Sequence, residues 1–562
     1  VEFKSQGQVL VIGPAAAALD WAERLSAQLE VSVLITSAGQ AELPLERKYP
    51  VWSGKPAAVR GWLGAFEVEW RQENPIDLEV CTRCNACIRA CPEDAIGFDY
   101  QVDLAKCKAH RDCVKACGDL GAIDFSRTEN TRKEAFDLVL DLSRAPLINL
   151  PELPQGYFAP GDDPLEQALA AQQLTGLVGE FEKPRFFQYR EKICAHGRSG
   201  KQGCNACLDV CSSGAIQPDG DHVRVEPHLC AGCGGCATVC PSGAMTYVYP
   251  RVPDMGARLK TALATYREAG GKDACILFHD GNGRNALLAY GRKGKGLPAR
   301  VIPIECFHVA SIGMDLMLGA MAYGASQVAV LVTDKTAESY VAATRRQMGY
   351  AETIVNALGY AGKHFAAIES PSALWEMAPA ATVAKAASFN LSPDKRTTLD
   401  FVFDHLAKGK DNTIPLPAGA PFGALSVNKQ TCTLCKACIG ACPESALVDA
   451  TETPALRFIE RNCVQCGLCV NTCPENALTL VPRLVIGKEA KEAVTLNEAE
   501  PFNCVRCAKP FGTRQMVENM LGKLGGHSMF AGGVRRLQMC GDCRVVDMME
   551  NKTEASILDY RK

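Results

Sequence analysis

Along this chain, continuous apolar runs alternate with stretches in which cysteine, alanine and glycine take the usual hydrophobic positions. Residues 8–12 and 31–35 read as strands and 15–29 between them as a helix, so the chain opens with a β-α-β unit. A second region, 256–390, alternates helical stretches with strands expected at Ala274 to Phe278, Val301 to Ile304, Gln327 to Thr333 and His364 to Glu369. That is the pattern of a parallel sheet flanked by helices. The longest apolar run, Leu316 to Val332, is broken by Gly319, Gly324, Ala325, Ser326 and Gln327 and preceded by Asp315. It predicts helix, turn and strand, not a membrane span. Residues 131–189 hold a strand-like stretch (Phe136 to Leu142), a Pro- and Gly-containing stretch around Pro151 to Pro164 and a helix near Leu165 to Phe181, which together predict an ordered connector.

The cysteines bunch into three segments, Cys81 to Cys117, Cys194 to Cys240 and Cys432 to Cys473, each reading as one ferredoxin-type unit repeated. After the last cysteine of each half comes an alanine and an apolar partner: Ala95-Ile96, Ala122-Ile123, Ala215-Ile216, Ala244-Met245, Ala446-Leu447 and Ala477-Leu478. Six copies predict six cluster half-units. A 4Fe-4S cube needs one thiolate per iron, and in two-cluster ferredoxins the fourth cysteine of each C-x2-C-x2-C-x3-C run crosses to the other cluster. Applied to the last segment, this pairs Cys432, Cys435 and Cys438 with Cys473, and Cys463, Cys466 and Cys469 with Cys442. In the middle segment the expected sets are Cys194, Cys204, Cys207, Cys240 and Cys230, Cys233, Cys236, Cys211. A nine-residue spacer stands there between Cys194 and Cys204 in place of two residues.

The first segment pairs Cys81, Cys84 and Cys87 with Cys117, but its second half reads Cys107-Lys-Ala-His110-Arg-Asp-Cys113. His110 stands in the register of a missing cysteine, and imidazole is a competent iron ligand. The expected set is Cys107, His110, Cys113 and Cys91, in which a neutral nitrogen replaces a thiolate and eases reduction. The competing readings are a 3Fe-4S cluster and ligation by Asp112. Two further knuckles, Cys504-Val-Arg-Cys507 and Cys540-Gly-Asp-Cys543, suit one tetrahedral zinc, with a rubredoxin-like iron as the alternative.

The remaining cysteines, Cys275 and Cys306, read as buried inert thiols. Cys306 with His308 at a strand's carboxyl end is a candidate for a binding crevice. The stretch Phe278-His-Asp-Gly-Asn-Gly-Arg284 reads as a surface turn, with a phosphate or partner loop as the sharper alternative. The turn Gly13-Pro-Ala-Ala-Ala-Ala18 sits where dinucleotide-binding folds place G-x-G-x-x-G. Only Gly13 matches, so Gly13 is a weak cofactor-binding candidate in a degenerate Rossmann-like domain.

Composition narrows the classes. Sixty basic and 63 acidic residues leave a formal charge of −3 with no basic block, which sets nucleic acid aside. Twenty-nine cysteines at metal-ligand intervals argue for metal over disulfides. No secretory signal is visible at Val1 to Leu10, so a reducing cytoplasm is the expected location.

The expected architecture is therefore an α+β multidomain chain: three two-cluster ferredoxin-like units interspersed with two α/β domains, and a C-terminal zinc-ribbon-like module. The boundaries are 1–75 Rossmann-like, 76–130 ferredoxin, 131–188 connector, 189–250 ferredoxin, 251–400 α/β, 420–485 ferredoxin and 495–562 four-cysteine module.

The run His222-Val-Arg-Val-Glu-Pro-His-Leu-Cys230-Ala-Gly-Cys233-Gly-Gly-Cys236 and the tail Cys504 to Cys543 resemble the multi-cluster iron-sulfur proteins found with bacterial formate dehydrogenases. The stretch Arg300-Val-Ile-Pro-Ile-Glu-Cys306, followed by Leu318-Gly-Ala320 and Tyr323-Gly-Ala325, is similar to the small iron-sulfur subunit of methanogen-type hydrogenase and heterodisulfide reductase complexes. The chain lacks that subunit's clustered cysteines. The resemblance implies an electron conduit between a dehydrogenase, plausibly formate dehydrogenase, and another carrier. The rival is an oxidoreductase with its own flavin or nicotinamide site in an α/β domain. A third reading makes the clusters purely structural, and six sites exceed that need.

Overall fold

A computed structural model describes residues 1–37, 41–126, 130–294, 296–450, 453–524 and 534–550. The parts of the expected four-cysteine module at 525–533 and 551–562 lie outside them. The chain divides into two compact units: Val1–Arg185 with Ser212–Ala215 and Val225–Ala231, and the remainder.

In the first unit, Gln8–Pro14 is the centre of a five-stranded parallel sheet, ordered Val51–Ser53, Glu30–Ser37, Gln8–Pro14, Leu138–Asp141, Tyr157–Phe158. Val9 and Val11 face one apolar layer and Leu10 and Ile12 another. Burial on both faces is why this strand reads as an unbroken apolar run. The helix Ala15–Leu25 covers one face through Ala18, Leu19 and Ala22.

Residues 131–188 are not a separate connector. Leu138–Asp141 pairs directly with Gln8–Pro14, and Thr131–Phe136 pairs antiparallel with Phe66–Arg71. The helix expected near Leu165 to Phe181 ends at Thr175, and Gly179–Glu182 then pairs with Glu2–Ser5. Sequence locality hid this arrangement, because every partner strand lies at least 60 residues upstream. The first cysteine segment thus hangs from neighbouring strand ends, with Arg71 opposite Thr131.

The second unit contains a four-stranded parallel sheet ordered Val301–Glu305, Cys275–His279, Gln327–Leu331, Phe365–Ile368. Ile276 and Phe278 face a large core with Leu259, Leu263, Met317, Ile354 and Val402. Cys275 and Leu277 face the other side, where Ala286 and Leu287 of the helix Gly281–Lys293 pack. The Leu316 to Val332 run resolves into the helix Met314–Ala322 and the strand Gln327–Leu331. Among the described residues no helix is long and apolar enough to cross a membrane.

The stretch Phe278 to Arg284 is not a surface turn. It ends a strand and starts the helix Gly281–Lys293, capped by Asp280, whose Oδ1 accepts from Gly283 N at 3.0 Å.

Replacing fully buried Phe278 with alanine removes the centre of the larger core. The expected loss is about 3–5 kcal/mol in this layer, read as an earlier urea transition in far-UV circular dichroism.

Candidate metal centres

Six short helices, Ala86–Ala90, Asp112–Cys117, Ala206–Val210, Gly235–Val239, Ala437–Ala441 and Leu468–Thr472, each carry the third cysteine of a half-unit and release the fourth at or just beyond their last turn. They pack in sequential pairs. That pairing is what can carry a fourth cysteine across to its neighbour's loop.

In five of the six loops, the two residues flanking the middle ligand position have left-handed backbone: Arg83 and Asn85, Ala109 and Arg111, Gly232 and Gly234, Leu434 and Lys436, Gln465 and Gly467. Alternation of this kind turns successive amides toward one point, the nest geometry of anion and iron-sulfur sites. For the non-glycine residues it costs on the order of 1–3 kcal/mol each unless something bound or packed enforces it. Ala109 and Arg111 flank His110, so the histidine occupies the loop position that Cys84 and Cys435 hold elsewhere.

Three cavities are lined by cysteines drawn from two half-units. One is bordered by Cys432, Cys435, Cys438 and Cys473 with Leu456 and Leu478. The next is bordered by Cys442, Cys463, Cys466 and Cys469 with Leu425 and Phe458. The third has Cys91, Cys107, His110, Asp112 and Cys113 around it. His110 Nε2 also lies 3.9 Å from Glu93 Oε1.

The remaining cysteines of the first segment gather as well: burial, then neighbouring thiols including Cys117 and Cys84, push the Cys81 thiol up. In the middle segment burial pushes Cys204 to about 11, with Cys240 and Cys194 adding to it. Cys438 and Cys466 are pushed to about 12, again chiefly by burial. Such sulfurs become thiolates only beside a compensating cation. Cys211 closes the helix Ala206–Val210, and Cys230 and Cys233 precede Cys236, which lies in Gly235–Val239.

The Ala-aliphatic pairs have a physical role. All twelve residues are buried, and the amides of Ala95, Ala446 and Ala477 donate to the sulfurs of Cys91, Cys442 and Cys473 at 3.3–3.4 Å. Alanine leaves room for the sulfur, and the residue after it seals the cavity from water.

The nine-residue spacer forms a hairpin, Gly197–Arg198 against Lys201–Gln202. Its second strand leads Gly203 and Cys204 onto the helix Leu468–Thr472, where Asn471 Nδ2 donates to Gln202 O at 2.8 Å. A side chain at Gly203 would meet Leu468 Cγ at 2.5 Å. Cys204 and Cys466 pack on the same apolar patch of Ala195, Val464 and Leu468. The departure from ferredoxin spacing therefore joins the middle and last cysteine segments.

The C-terminal knuckles make a tighter site. The sulfurs of Cys504, Cys507, Cys540 and Cys543 all lie within 4.8 Å of one another, with Cys507 and Cys540 3.7 Å apart. A tetrahedral ion with bonds of about 2.3 Å requires sulfurs about 3.8 Å apart. Burial pushes the Cys504 thiol up, but amides of Cys540, Cys507 and Arg506 aimed at the sulfur prevail and hold it at about 6.

The other candidates lie in packed surroundings. Gly13 abuts Leu142, since a β-carbon there would lie 2.9 Å from Leu142 Cβ. Burial pushes Cys275 to about 11 and Cys306 to about 12, and the Cys306 thiol donates to His279 O. His308 Nδ1 accepts from Ala310 N, and its ring meets Tyr340 edge-on. The sheet's carboxyl end here is not an open crevice, because Ala310 and Tyr340 pack on Val210, Cys233 and Val239.

Models of a 4Fe-4S dicluster domain match residues 202–244 and 424–474, and a model of a 4Fe-4S binding domain matches residues 75–97. The chain carries ferredoxin-type 4Fe-4S domains. They support an iron-sulfur electron-transfer role. No curated protein sequence matches the chain.

Two features were invisible in the sequence: the hairpin's docking, and cationic side chains from outside the cysteine segments that donate to ligand-loop carbonyls. Lys183 Nζ reaches Cys230 O at 3.1 Å, and Lys395 and Arg396 reach Cys240 O and Cys463 O. Only their positions in the fold single them out.

Gly203→Val overpacks the hairpin against Leu468 and is expected to cost about 1–3 kcal/mol. The check is faster proteolytic nicking at Arg198 to Lys201 with the rest of the chain intact.

Proposed function

We propose that the chain relays electrons through six 4Fe-4S centres between a dehydrogenase and another carrier, without substrate chemistry of its own. The residues fit the group where cysteines from two half-units line a common cavity, as in the last segment and the second half of the first. When bound, such clusters take up and release single electrons at potentials the surroundings set. The chain's part is to hold them and exclude water.

The ligand sets we assign are Cys81, Cys84, Cys87, Cys117; Cys107, His110, Cys113, Cys91; Cys194, Cys204, Cys207, Cys240; Cys230, Cys233, Cys236, Cys211; Cys432, Cys435, Cys438, Cys473; and Cys463, Cys466, Cys469, Cys442. The shared left-handed loop supports His110 in that series. The four C-terminal cysteines hold zinc, on the strength of their close spacing. The observation that carries the relay is the joint at which Cys204 and Cys466 share one apolar patch, because a wire needs continuity between modules. Formate dehydrogenase as the donor and a cytoplasmic location rest on the family resemblance and the cysteine chemistry. The filled carboxyl end of the second sheet weighs against a flavin or nicotinamide site there.

Iron, acid-labile sulfide and zinc per chain, measured on anoxically purified protein, test this reading. About 24 iron, matching six cubes, with one zinc and no flavin absorbance is the expected result. About 16 iron means an empty module and ends the continuous relay.

A further inference from the structure

Two consecutive cations at the start of one helix reach in different directions into two cysteine modules. The helix Lys395–Leu406 is capped by Asp394, whose Oδ1 accepts from Thr397 N at 2.9 Å. The other oxygen of that carboxylate accepts from Arg190, which also donates to Gly243 O beside the middle module.

Lys395 is buried and spends all three ammonium donors on main-chain carbonyls: Ala237 O at 2.8 Å, Thr238 O at 2.6 Å and Cys240 O at 3.0 Å. Buried Asp315 supplies the nearest countercharge. Arg396 turns to the last module, donating to Pro421 O at 2.9 Å, to Arg461 O and to Cys463 O at 3.3 Å, with its guanidinium over the Phe422 ring.

Cys240 belongs to the set of Cys204, and Cys463 to the set of Cys466, so the two cations address the two sets that meet at the joint. The last module contains its own comparison. Cys432 opens its half-unit as Cys463 opens the other, and the Cys432 carbonyl accepts from the neutral amide of Asn497 at 3.4 Å. One half-unit therefore has a half-buried cation where its sibling has a neutral donor.

A fixed positive charge in a dry site stabilises an added electron nearby far more than it would in water. Charge and hydrogen bonding around the sulfurs are established levers on cluster potential. Loop anchoring alone needs donors, which a neutral amide also supplies, as Asn497 shows.

We propose that Lys395 and Arg396 set the reduction potentials of the two centres at the joint, Lys395 acting on the one held by Cys194, Cys204, Cys207 and Cys240, and Arg396 on the one held by Cys463, Cys466, Cys469 and Cys442. Both are positioning residues that make these centres easier to reduce than the Asn497-marked centre at Cys432. Electrons therefore collect at the joint. The inference rests on the relay reading, in that these sets must hold clusters.

The test is an EPR-monitored reductive titration of the anoxic full chain beside Lys395→Met, Arg396→Met and the charge-preserving Lys395→Arg and Arg396→Lys, with iron and sulfide counted on every sample. Lys395→Met is expected to move one titration wave to lower potential and Arg396→Met a different one, each at full iron content, while the charge-preserving variants leave every wave in place. Waves that superimpose on those of the unaltered chain overturn the proposal. So do methionine variants that shed about four iron and leave the other waves unmoved, which would make the cations loop anchors. An unaltered chain whose iron cannot be reduced overturns the relay reading itself, and this inference with it.

Discussion

Burying anionic sulfur is the constraint on which the rest of this structure depends. A thiolate removed from water is unstable unless cations and aimed amides surround it. Left-handed loop residues, alanine amides and sealing aliphatic side chains are three local answers to that requirement. The left-handed pair recurs in five of the six loops, the alanine amide reaches sulfur in three half-units, and the buried apolar residue follows in all six. The four C-terminal cysteines meet the same constraint at shorter range, where aimed amides and the Cys507 thiol hold Cys504 below the usual thiol range.

The two α/β layers matter to the centres chiefly as rigid supports. The second sheet places Ala310 and Tyr340 against the loop of Cys233, and the helix Lys395–Leu406 presents charges to two modules at once. Open parallel sheets usually offer their carboxyl ends to ligands. Here that end is covered by protein, which gives the layer a supporting role. The first sheet likewise packs Gly13 on Leu142 where a dinucleotide fold would leave backbone bare.

Much of this was legible in the sequence because it is local. Strands buried on both faces announce themselves as apolar runs, and ligand spacing follows from the reach of a short turn, so the strands of 274–368 and the 4Fe-4S motifs could be read directly. The role of 131–188 could not, since Leu138–Asp141 finds its partner at Gln8–Pro14 across an entire module. Phe278 to Arg284 misled because its glycines suggest a turn, whereas Asp280 converts the same residues into a helix start. The spacer before Cys204 could be seen as an anomaly, but its purpose depends on a surface 269 residues away. Lys395 and Arg396 are ordinary charged residues in a linear reading, and only burial against carbonyls distinguishes them.

The first cysteine module enters from Arg71 and returns at Thr131, two residues that face each other across adjacent strands. Insertions at such neighbouring ends leave the parent sheet's register unchanged. The module is nevertheless no detachable insert, because Ile76, Cys87, Ile96 and Ile123 lie in one apolar cluster with Val9, Val33 and Leu138 of the sheet. A disturbance in the cysteine loops is therefore felt in the sheet that carries them, and the two stabilise each other as one core.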